Sequence, residues 1–411
     1  MNLRTGTFLW PNTFPNHPVY PRLAEDIDCD VVVVGAGESG SLTAYRLTES
    51  GVRTVLIDKR TVGGGSSAAN TGLLQLQNDK SLASCIHSFG EAQGVRFYEL
   101  TAEAVQEIGH ISRQLSIDPE YIPRSTLYFA SGANDVTALK DEHKLLMKYG
   151  FPAEYWDAEA ISRHFSFRKD GAIFVRDADA EINPFKFVNG LVDKAHEKGL
   201  RVFTDTKLQR HRFNQDGIEL YTDGGYRIRA KKAVFASGYE TQEMKRNANA
   251  VLLSCYAMAT KPISDFPGWY QRSLIWETAR PYLYIRTTKD NRIVIGGLDE
   301  QTSNPEERDR MLTRKKELLL EELAKLFPKI GALEAEYAWA GMFGTTHDGL
   351  PMVGEQEQFP HCYFALGYGG NGTVYSTIVS KVVTELIVKG TSKDKELLQF
   401  HRQKRPSAVQ V

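Results

Sequence analysis

The 411-residue chain has few cysteines, and they are scattered. No two of the four form a CxxC pair; they are Cys29, Cys85, Cys255 and Cys362. This spacing argues against a metal site and against a disulfide framework, and it is typical of a reducing compartment. We therefore expect a cytoplasmic protein that holds no metal.

Long apolar runs and an excess of charge of one sign are missing as well. Lys and Arg number 50 and Asp and Glu 51, so no basic field indicates a nucleic-acid partner. No stretch approaches the length that spans a bilayer, and the first residues lack the apolar core of a secretory signal. We expect neither nucleic-acid binding nor a transmembrane segment, and the sequence leaves the oligomeric state open.

What the chain does contain near its start is a βαβ pattern. Residues 30–34 form a continuous β-branched run, as expected for a buried parallel strand. The stretch that follows GAGESG is helical to about residue 50, and residues 52–58 are typical of a second strand. This order predicts the opening of a doubly wound α/β domain.

The turn of that unit carries a GxGxxG motif, formed by Gly35, Gly37 and Gly40. The first glycine allows a tight turn, the second lets the backbone approach a pyrophosphate, and the third allows close packing of helix on strand. The helix N-terminus favours the anion, and Asp58 ends the second strand where an acid bonds a ribose hydroxyl. The motif predicts a dinucleotide site; the competing interpretation is a Gly-rich turn with no ligand, with Asp58 as a solvated strand end.

Two features favour FAD over NAD. The sequence has a single fingerprint, and it lies near the N-terminus. A second glycine cluster, GYGGNG at residues 367–372, opens a helix near the C-terminus. A flavin dinucleotide is longer than one βαβ unit and needs contacts from distant parts of the chain, which this second cluster provides.

The later pattern changes to alternating, aromatic-rich strands across residues 251–297, which indicates an antiparallel sheet. We therefore predict an α/β protein: a Rossmann-like FAD-binding domain of discontinuous segments with an inserted α+β substrate domain built on that sheet. The predicted divisions are an extended N-terminal arm, 1–29; the FAD-binding domain, 30–90, 170–247 and 335–390; the substrate domain, 91–169 and 248–334; and a C-terminal tail, 391–411. The arm is expected to be extended because its prolines fix φ.

Four segments resemble the D-amino-acid-oxidase-like family of FAD-dependent oxidoreductases, relatives of glycine oxidase, sarcosine oxidase and glycerol-3-phosphate dehydrogenase. They are DVVVVGAGESG; GGGSSAANTGLL; KKAVFASG; and AWAGMFGTTHDGLPMVG with LGYGGNGTVYS. Together they span almost the entire chain, and they imply a glutathione-reductase-type FAD domain. The stretch WETARPYLYIRTTKDNRIVIGGLDE is similar to a bacterial subgroup of that family whose members mostly lack an assigned substrate.

The resemblance implies a path for the cofactor along the chain. Gly35, Gly37 and Gly40 would hold the pyrophosphate, Asp58 the adenosine ribose with Lys59 nearby, and the Leu208 backbone the adenine. Gly238 would pass close to the cofactor, although a turn that needs positive φ explains it as well. The remaining implied contacts are Ser66 and Ser67 with phosphate or ribitol; Asn70, Thr71, Gly72 and Leu73 at the ring edge; and Gly370, Asn371, Gly372 and Thr373, which aim a helix N-terminus at the flavin.

The Gly-rich loop at residues 63–75 has a competing interpretation as a mobile linker, which is usual for such composition. Its apolar continuation, LLQLQ, argues against a solvated linker. The family resemblance also implies a non-covalent FAD, because the covalent flavin cysteine of sarcosine oxidases has no clear match near GNGTVYS.

On the substrate side, Tyr282, Tyr284 and Arg286 alternate along one strand and share a face. If that face covers the flavin, the guanidinium suits a carboxylate, and Tyr256 of a neighbouring strand joins the pocket. The competing interpretation is ordinary strand packing, with Arg286 paired to Glu277 or Asp299.

One departure from the family concerns the acid group of the substrate. The family's amino-acid and glycerol-phosphate enzymes usually carry an Arg on the strand aligned with WAGMFGTT, where this chain has Met342 and Phe343. Either Arg286 takes over the anion or the substrate is a less acidic amine. His347 is the one candidate base, and a structural pair with Asp348 is the alternative.

These features predict hydride transfer from a small amine or amino-acid derivative to FAD. Two alternatives stay open at this point. The first is dehydrogenation of a 2-hydroxy acid or other alcohol, and the second is a flavin-binding RNA-modification factor or low-turnover scaffold.

Overall fold

The structure is a computed structural model that describes residues 1–402. One of its sheets, named here the parallel sheet, forms around the β-branched run near the start of the chain. Its strands in spatial order are β17 (Met352–Gln356), β18 (Phe359–Leu366), β11 (Arg227–Phe235), β2 (Ile27–Val34), β3 (Thr54–Ile57) and β8 (Arg201–Phe203). All neighbouring pairs on this path are parallel except β17 with β18. A meander of β9 (Leu208–Asn214) and β10 (Gly217–Thr222) is attached to β11.

Both faces of the parallel sheet are covered. Val31 and Val33 face one hydrophobic cluster and Val32 and Val34 another, as the period of two along a strand requires. The first cluster is filled from helices α2 (Glu38–Glu49), α4 (Glu91–Ser112), α7 (Pro184–Glu197) and α10 (Gly372–Lys389). The second is closed by the meander. Burial on both faces explains why the strand lacks alternation of polar and apolar residues.

The second sheet, named here the mixed sheet, is mostly antiparallel. Its spatial order is β1 (Arg4–Thr7), β16 (Ala335–Thr346), β12 (Ala250–Thr260), β15 (Ile293–Glu300), β14 (Tyr284–Thr287), β13 (Leu274–Glu277), β5 (Ile122–Phe129), β7 (Gly171–Glu181) and β4 (Leu73–Leu74), with β6 (Ala153–Asp157) on β7. The pair β13–β5 is parallel. Helix α9 (Pro305–Leu326) buries Leu319 and Leu323 against one face of this sheet, and the opposite face is free to border a cavity.

The described residues contain further α-helices. They are α1 (Leu9–Thr13), α3 (Leu82–Phe89), α5 (Asp135–Lys148), α6 (Ala158–His164), α8 (Thr241–Met244) and α11 (Lys395–Leu398). Among residues 1–402, no helix is long and apolar enough to cross a membrane.

The strand pairing connects segments that the predicted division assigns to different parts of the protein. Strands β7 and β16 hydrogen-bond into the mixed sheet, although the prediction placed residues 170–247 and 335–390 with the FAD-binding domain. The predicted extended arm contains β1, which pairs with β16, and the helix α1. Of the predicted tail, residues 403–411 lie outside the described residues.

Candidate active site

A cavity of about 630 Å³ lies between the parallel sheet and the mixed sheet. Gly35 and Asp58 border it from the carboxyl ends of β2 and β3, and Tyr282 and Tyr284 border it from the mixed sheet. The carboxyl ends of parallel strands are where doubly wound sheets bind their ligands. The cavity therefore joins the predicted nucleotide site to the predicted substrate residues.

The fingerprint glycines are required by close packing. Gly35 has φ +110°, and a Cβ there would lie 2.5 Å from the carbonyl oxygen of Ala236. A Cβ at Gly40 would lie 1.7 Å from the carbonyl oxygen of Gly35. Gly35 and Gly37 border the cavity, whereas Gly40 packs the helix onto the turn and does not border it. This division of roles is the one that the motif predicts.

The end of the cavity next to Asp58 suits an adenosine. The Asp58 carboxylate accepts hydrogen bonds from the backbone N–H groups of Ala36, at 2.6 Å, and Arg60, at 2.7 Å. Burial raises the pKa of this carboxyl. The Lys59 ammonium lies 2.9 Å from the Glu240 carboxylate. Lys59 and Leu208 both border the cavity, as predicted.

The Gly-rich loop is held in place rather than mobile. The Asn70 amide donates to Glu38 Oε1 at 2.8 Å and to Thr373 Oγ1 at 3.0 Å. The indole N–H of Trp339 donates to the Ala69 carbonyl at 2.8 Å, and that of Trp10 to the Asn70 carbonyl at 2.6 Å. These bonds contradict the linker interpretation of the loop.

Most of the predicted loop residues border the cavity; they are Ser66, Ser67, Asn70, Thr71 and Leu73. Gly72 does not. It has φ +76°, and a Cβ there would lie 2.1 Å from the carbonyl oxygen of Ile182. Gly72 therefore lets the loop pass close to β7 and α7 rather than contacting a ligand directly.

The C-terminal glycine cluster contacts the Gly-rich loop at the edge of the cavity. Gly370, Asn371 and Gly372 border the cavity, so the N-terminus of α10 opens onto it. The Asn371 amide donates to the backbone carbonyl of Gln75. Thr373 points away from the cavity, and its hydroxyl donates to Glu38 Oε1 at 2.9 Å.

Glu38 connects α2, the Gly-rich loop and α10, and it was not predicted from the sequence as a site residue. It is the first residue of α2, it is buried, and it borders the cavity. Burial raises the pKa of its carboxyl to about 7, although Thr373 and Asn70 both donate to it. The acid within GAGESG, at a position that becomes buried, was the signal that sequence reasoning passed over.

These residues fit an FAD. A Cβ added at Gly238, which has φ +54°, would meet no atom within 4 Å, and one at Gly372 none closer than 3.8 Å. The side-chain amide nitrogen of Gln75 borders the same space and has no partner among the described residues. The N-terminus of an 18-residue helix adds a partial positive charge. The donor set and the open backbone are those that a phosphate-bearing, flat cofactor requires.

At the other end of the cavity, Tyr282 and Tyr284 occupy the wall as predicted. The Tyr284 ring lies over Gly296, where a Cβ would come within 2.4 Å of the phenol. Its hydroxyl lies 3.0 Å from Cys255 Sγ. Burial raises the pKa of both phenols well above the usual value, and that of the Cys255 thiol as well, so these groups stay protonated.

Sequence reasoning missed Trp276, Asp79 and Asp299 on this wall. Trp276 packs edge-on to Tyr282 with ring centres 5.8 Å apart. Asp299 follows an irregular pairing of β12 with β15, where Leu298 has φ +56°. Such a bulge redirects a side chain to the other face of a strand. The GG pair before Asp299, inside an apolar strand, was the available signal.

Arg286 does not face the cavity, which corrects the prediction that it binds the substrate. Its Nε donates to the Thr71 carbonyl at 2.7 Å and its Nη2 to the Ile182 carbonyl at 2.9 Å. The side chain is 2% exposed, and burial lowers its pKa to about 10. Arg286 therefore anchors the Gly-rich loop to the start of α7, and neither Glu277 nor Asp299 is its partner.

Tyr256 and His347 are also corrected. Tyr256 borders the cavity, but its hydroxyl donates to the Arg308 carbonyl at 3.3 Å on the α9 side of the sheet. His347 is exposed and does not border the cavity. The Asp348 carboxylate lies 2.6 Å from the Arg402 guanidinium, so the predicted His–Asp pair is replaced by an ion pair.

The place of the family's substrate-binding Arg is apolar. Met342 and Phe343 of β16 border the cavity there. The Lys and Arg side chains that border the cavity in the described part of the chain flank Asp58 and Leu208 in sequence; they are Lys59, Arg60, Lys207 and Arg210. The wall formed by Tyr282, Tyr284 and Trp276 is named here the tyrosine wall. Asp79 and Asp299 lie on it, and no Lys or Arg side chain of the described residues does.

The sequence signature of the DAO family, described as FAD dependent oxidoreductase, matches residues 30–386. The chain therefore belongs to this family, and FAD is its cofactor, as the sequence predicts.

Among the relatives, a putative Rieske 2Fe-2S iron–sulfur protein of Bacillus subtilis (strain 168) is 25% identical over 378 residues, 90% of this chain and 71% of the relative. Gamma-glutamylputrescine oxidoreductase of Escherichia coli (strain K12) is 24% identical over 380 residues, 90% of this chain and 85% of the relative. The crystal structure of glycine oxidase from Geobacillus kaustophilus matches with a TM-score of 0.77 at 20% identity, covering 89% of this chain and 96% of that one. The predicted fold class is confirmed.

Proposed function

We propose that this flavoprotein oxidises a C–N bond in a small amine or amino-acid derivative. The observation that carries the proposal is the cavity itself. It joins the glycine fingerprint to a wall of Tyr282, Tyr284 and Trp276, so a cofactor bound along the fingerprint would present its far end to that wall. When bound, FAD supplies the hydride acceptor.

The relatives support this reaction class. The names of gamma-glutamylputrescine oxidoreductase and glycine oxidase each indicate a nitrogen-bearing substrate. Both relatives align with most of this chain, 90% and 87% of it.

The chain's own residues would bind and orient the substrate. Three aromatic rings line the wall, and apolar surroundings of this kind strengthen each polar contact within them. The N-terminus of α10 directs its dipole into the cavity, where it stabilises negative charge without reorganisation. Oxidation of an amine needs its nitrogen unprotonated, and the Asp299 carboxyl, whose pKa burial raises to about 6, is placed to accept a proton.

Oxidation of a 2-hydroxy acid, the alternative reaction, is disfavoured by the charge of the wall. A 2-hydroxy carboxylate needs a cationic partner, normally Arg. The side chains at the aligned position are Met342 and Phe343, and Arg286 is committed to the loop. The RNA-related alternative has no support from the charge distribution, since the chain has a net charge of −1.

An anaerobic flavin-reduction screen tests the proposal. The FAD-loaded protein is mixed without oxygen with panels of small amines, amino acids and 2-hydroxy acids, and the loss of flavin absorbance is followed. We expect members of the nitrogen-bearing panels to bleach the flavin and the hydroxy acids to leave it oxidised. Bleaching by hydroxy acids alone would overturn the proposal.

A further inference from the structure

We infer that the tyrosine wall of the cavity binds a positively charged amine that has no carboxylate next to its nitrogen. This inference rests on the proposed function, since it names the substrate class of the same site. It departs from the anion-binding arrangement that the resemblance implies. The recognising groups are Asp299 and Asp79, within a box formed by Trp276, Tyr282 and Tyr284.

Two carboxylates approach this wall from different elements. Asp79 Oδ2 accepts the backbone N–H of Gly370 at 3.2 Å. A Cβ added at Gly370 would lie 2.6 Å from that oxygen and 2.7 Å from the Tyr282 hydroxyl, so the acid and the phenol meet at one point. Asp299 reaches the wall through the bulge at Leu298. Backbone irregularities of this kind persist where function requires them.

The aromatic rings make a box of the kind that holds cations. Tyr282 and Trp276 are edge-on, with an interplanar angle of 78°. Tyr282 and Tyr284 are tilted by 60° with centres 5.8 Å apart. The faces of such rings attract cations, alkylated ammonium groups included, and all three rings border the cavity.

Unsatisfied acceptors within the lining call for a donor or a positive charge. Asp299 Oδ1 and the side-chain oxygen of Gln77 are buried and have no hydrogen-bond partner among the described residues. Gln77 is 4% exposed and borders the cavity. A buried acceptor without a donor is costly, so each is expected to meet a ligand or water. An ammonium group offers the N–H donors that both lack.

The two cations beside the wall, Arg280 and Lys315, form no ion pair with Asp299 or Asp79. Arg280 lies over the outside of Tyr282, 4.9 Å from its ring centre, and does not border the cavity. Its guanidinium donates to the carbonyls of Thr278 and Ala279. Lys315 of α9 pairs with the Glu300 carboxylate on the opposite side of β15. The negative potential of Asp299 and Asp79 is therefore left for a ligand.

Binding of two small probes to the FAD-loaded protein tests the inference by calorimetry. The cation tert-butylammonium keeps its N–H donors and has no hydrogen on the carbon next to nitrogen, so it can bind and cannot be oxidised to an imine; butyrate is the anion of similar size. We expect the cation to bind and butyrate to bind far more weakly. Asp299→Asn should weaken the cation about 10- to 100-fold by removing a buried charge. Asp216→Asn, in the exposed β9–β10 turn, is the control and should change nothing.

Asp79→Asn serves as the second variant, and FAD content shows that each variant is folded. Butyrate binding more tightly than the cation, or unchanged cation affinity in both variants, would overturn the inference. The two proposals fail separately. Cation binding that depends on Asp299, with no amine able to bleach the flavin, would overturn the function and leave the inference standing. Bleaching by glycine that is unchanged in Asp299→Asn, with no cation binding, would do the reverse.

Discussion

Replacement of Arg286 by Met separates a structural role from substrate binding. The guanidinium donates to two carbonyls, those of Thr71 and Ile182, in a fully buried setting. Hydrogen bonds from a charged group contribute about 1.5 to 3 kcal/mol each. Arg286→Met keeps the packing of the stem and removes both donors, so it should lower the free energy of unfolding by about 3 to 6 kcal/mol.

The same change should weaken FAD, because Thr71 borders the cavity and its carbonyl loses its anchor. We expect at least a tenfold rise in the Kd for FAD, measured by flavin fluorescence, with unfolding followed in urea. Arg163→Met, at an exposed helical position, is the control. A variant that keeps its stability and its FAD affinity, and shows only a raised KM for substrate, would refute the anchoring role and restore Arg286 as a substrate ligand.

Three further predictions concern the cofactor site. Gly40→Ala should abolish FAD retention on purification, because its Cβ would lie 1.7 Å from the Gly35 carbonyl, whereas Gly132→Ala, with no atom within 4 Å, should be harmless. Glu38 has a native pKa near 7 against an ordinary value of 4.5, so its stabilising contribution is present below pH 4.5 and is lost as pH rises through 7. Glu38→Gln should therefore flatten the pH dependence of unfolding, a gain of about 3 kcal/mol above pH 8; an equally sloped variant would contradict this. Acid denaturation should release all FAD into the supernatant, because GNGTVYS and its surroundings offer no clear match to the covalent flavin cysteine of sarcosine oxidases; a yellow pellet would show a covalent bond.

Most of the residues predicted from the sequence to bind the cofactor border the cavity. A motif such as GxGxxG is local, and its geometry follows from three glycines and the helix that they open. The same is true of the cluster that opens α10, where Gly370, Asn371 and Gly372 border the cavity. Gly40 and Gly72 show the limit of this reasoning, since each is needed for close packing and neither borders the cavity.

The substrate-binding residues were harder to predict from the sequence. Alternation along a strand shows which residues share a face of the sheet, but not how far along the strand that face borders the cavity. Alternation correctly joins Tyr282 to Tyr284, but β14 runs beyond the cavity, and Arg286 meets the Gly-rich loop instead. The Asp299 side chain reaches the cavity because of a β-bulge, and a strict alternation of side chains along the strand does not predict a bulge. Cys255 and Tyr256 are neighbours on β12, so their side chains point to opposite faces of the sheet. The thiol of Cys255 faces the cavity and the phenol of Tyr256 faces α9.

The pairing of strands across the predicted domain boundaries could not be read from the sequence. Strands β7 and β16 lie in stretches of the sequence assigned to the FAD-binding part, yet both pair within the mixed sheet. Sheet membership is decided by contacts between residues that are distant in sequence, which local patterns do not report.

The most direct test of the proposed reaction is the balance of a single anaerobic turnover. Butylamine is added to the FAD-loaded protein, and the flavin bleached, the butanal formed and the ammonia released are each measured. Oxidation of the C–N bond followed by hydrolysis of the imine predicts one aldehyde and one ammonia for each flavin bleached. Bleaching without release of nitrogen, or bleaching by 2-hydroxybutyrate and not by butylamine, would contradict the account.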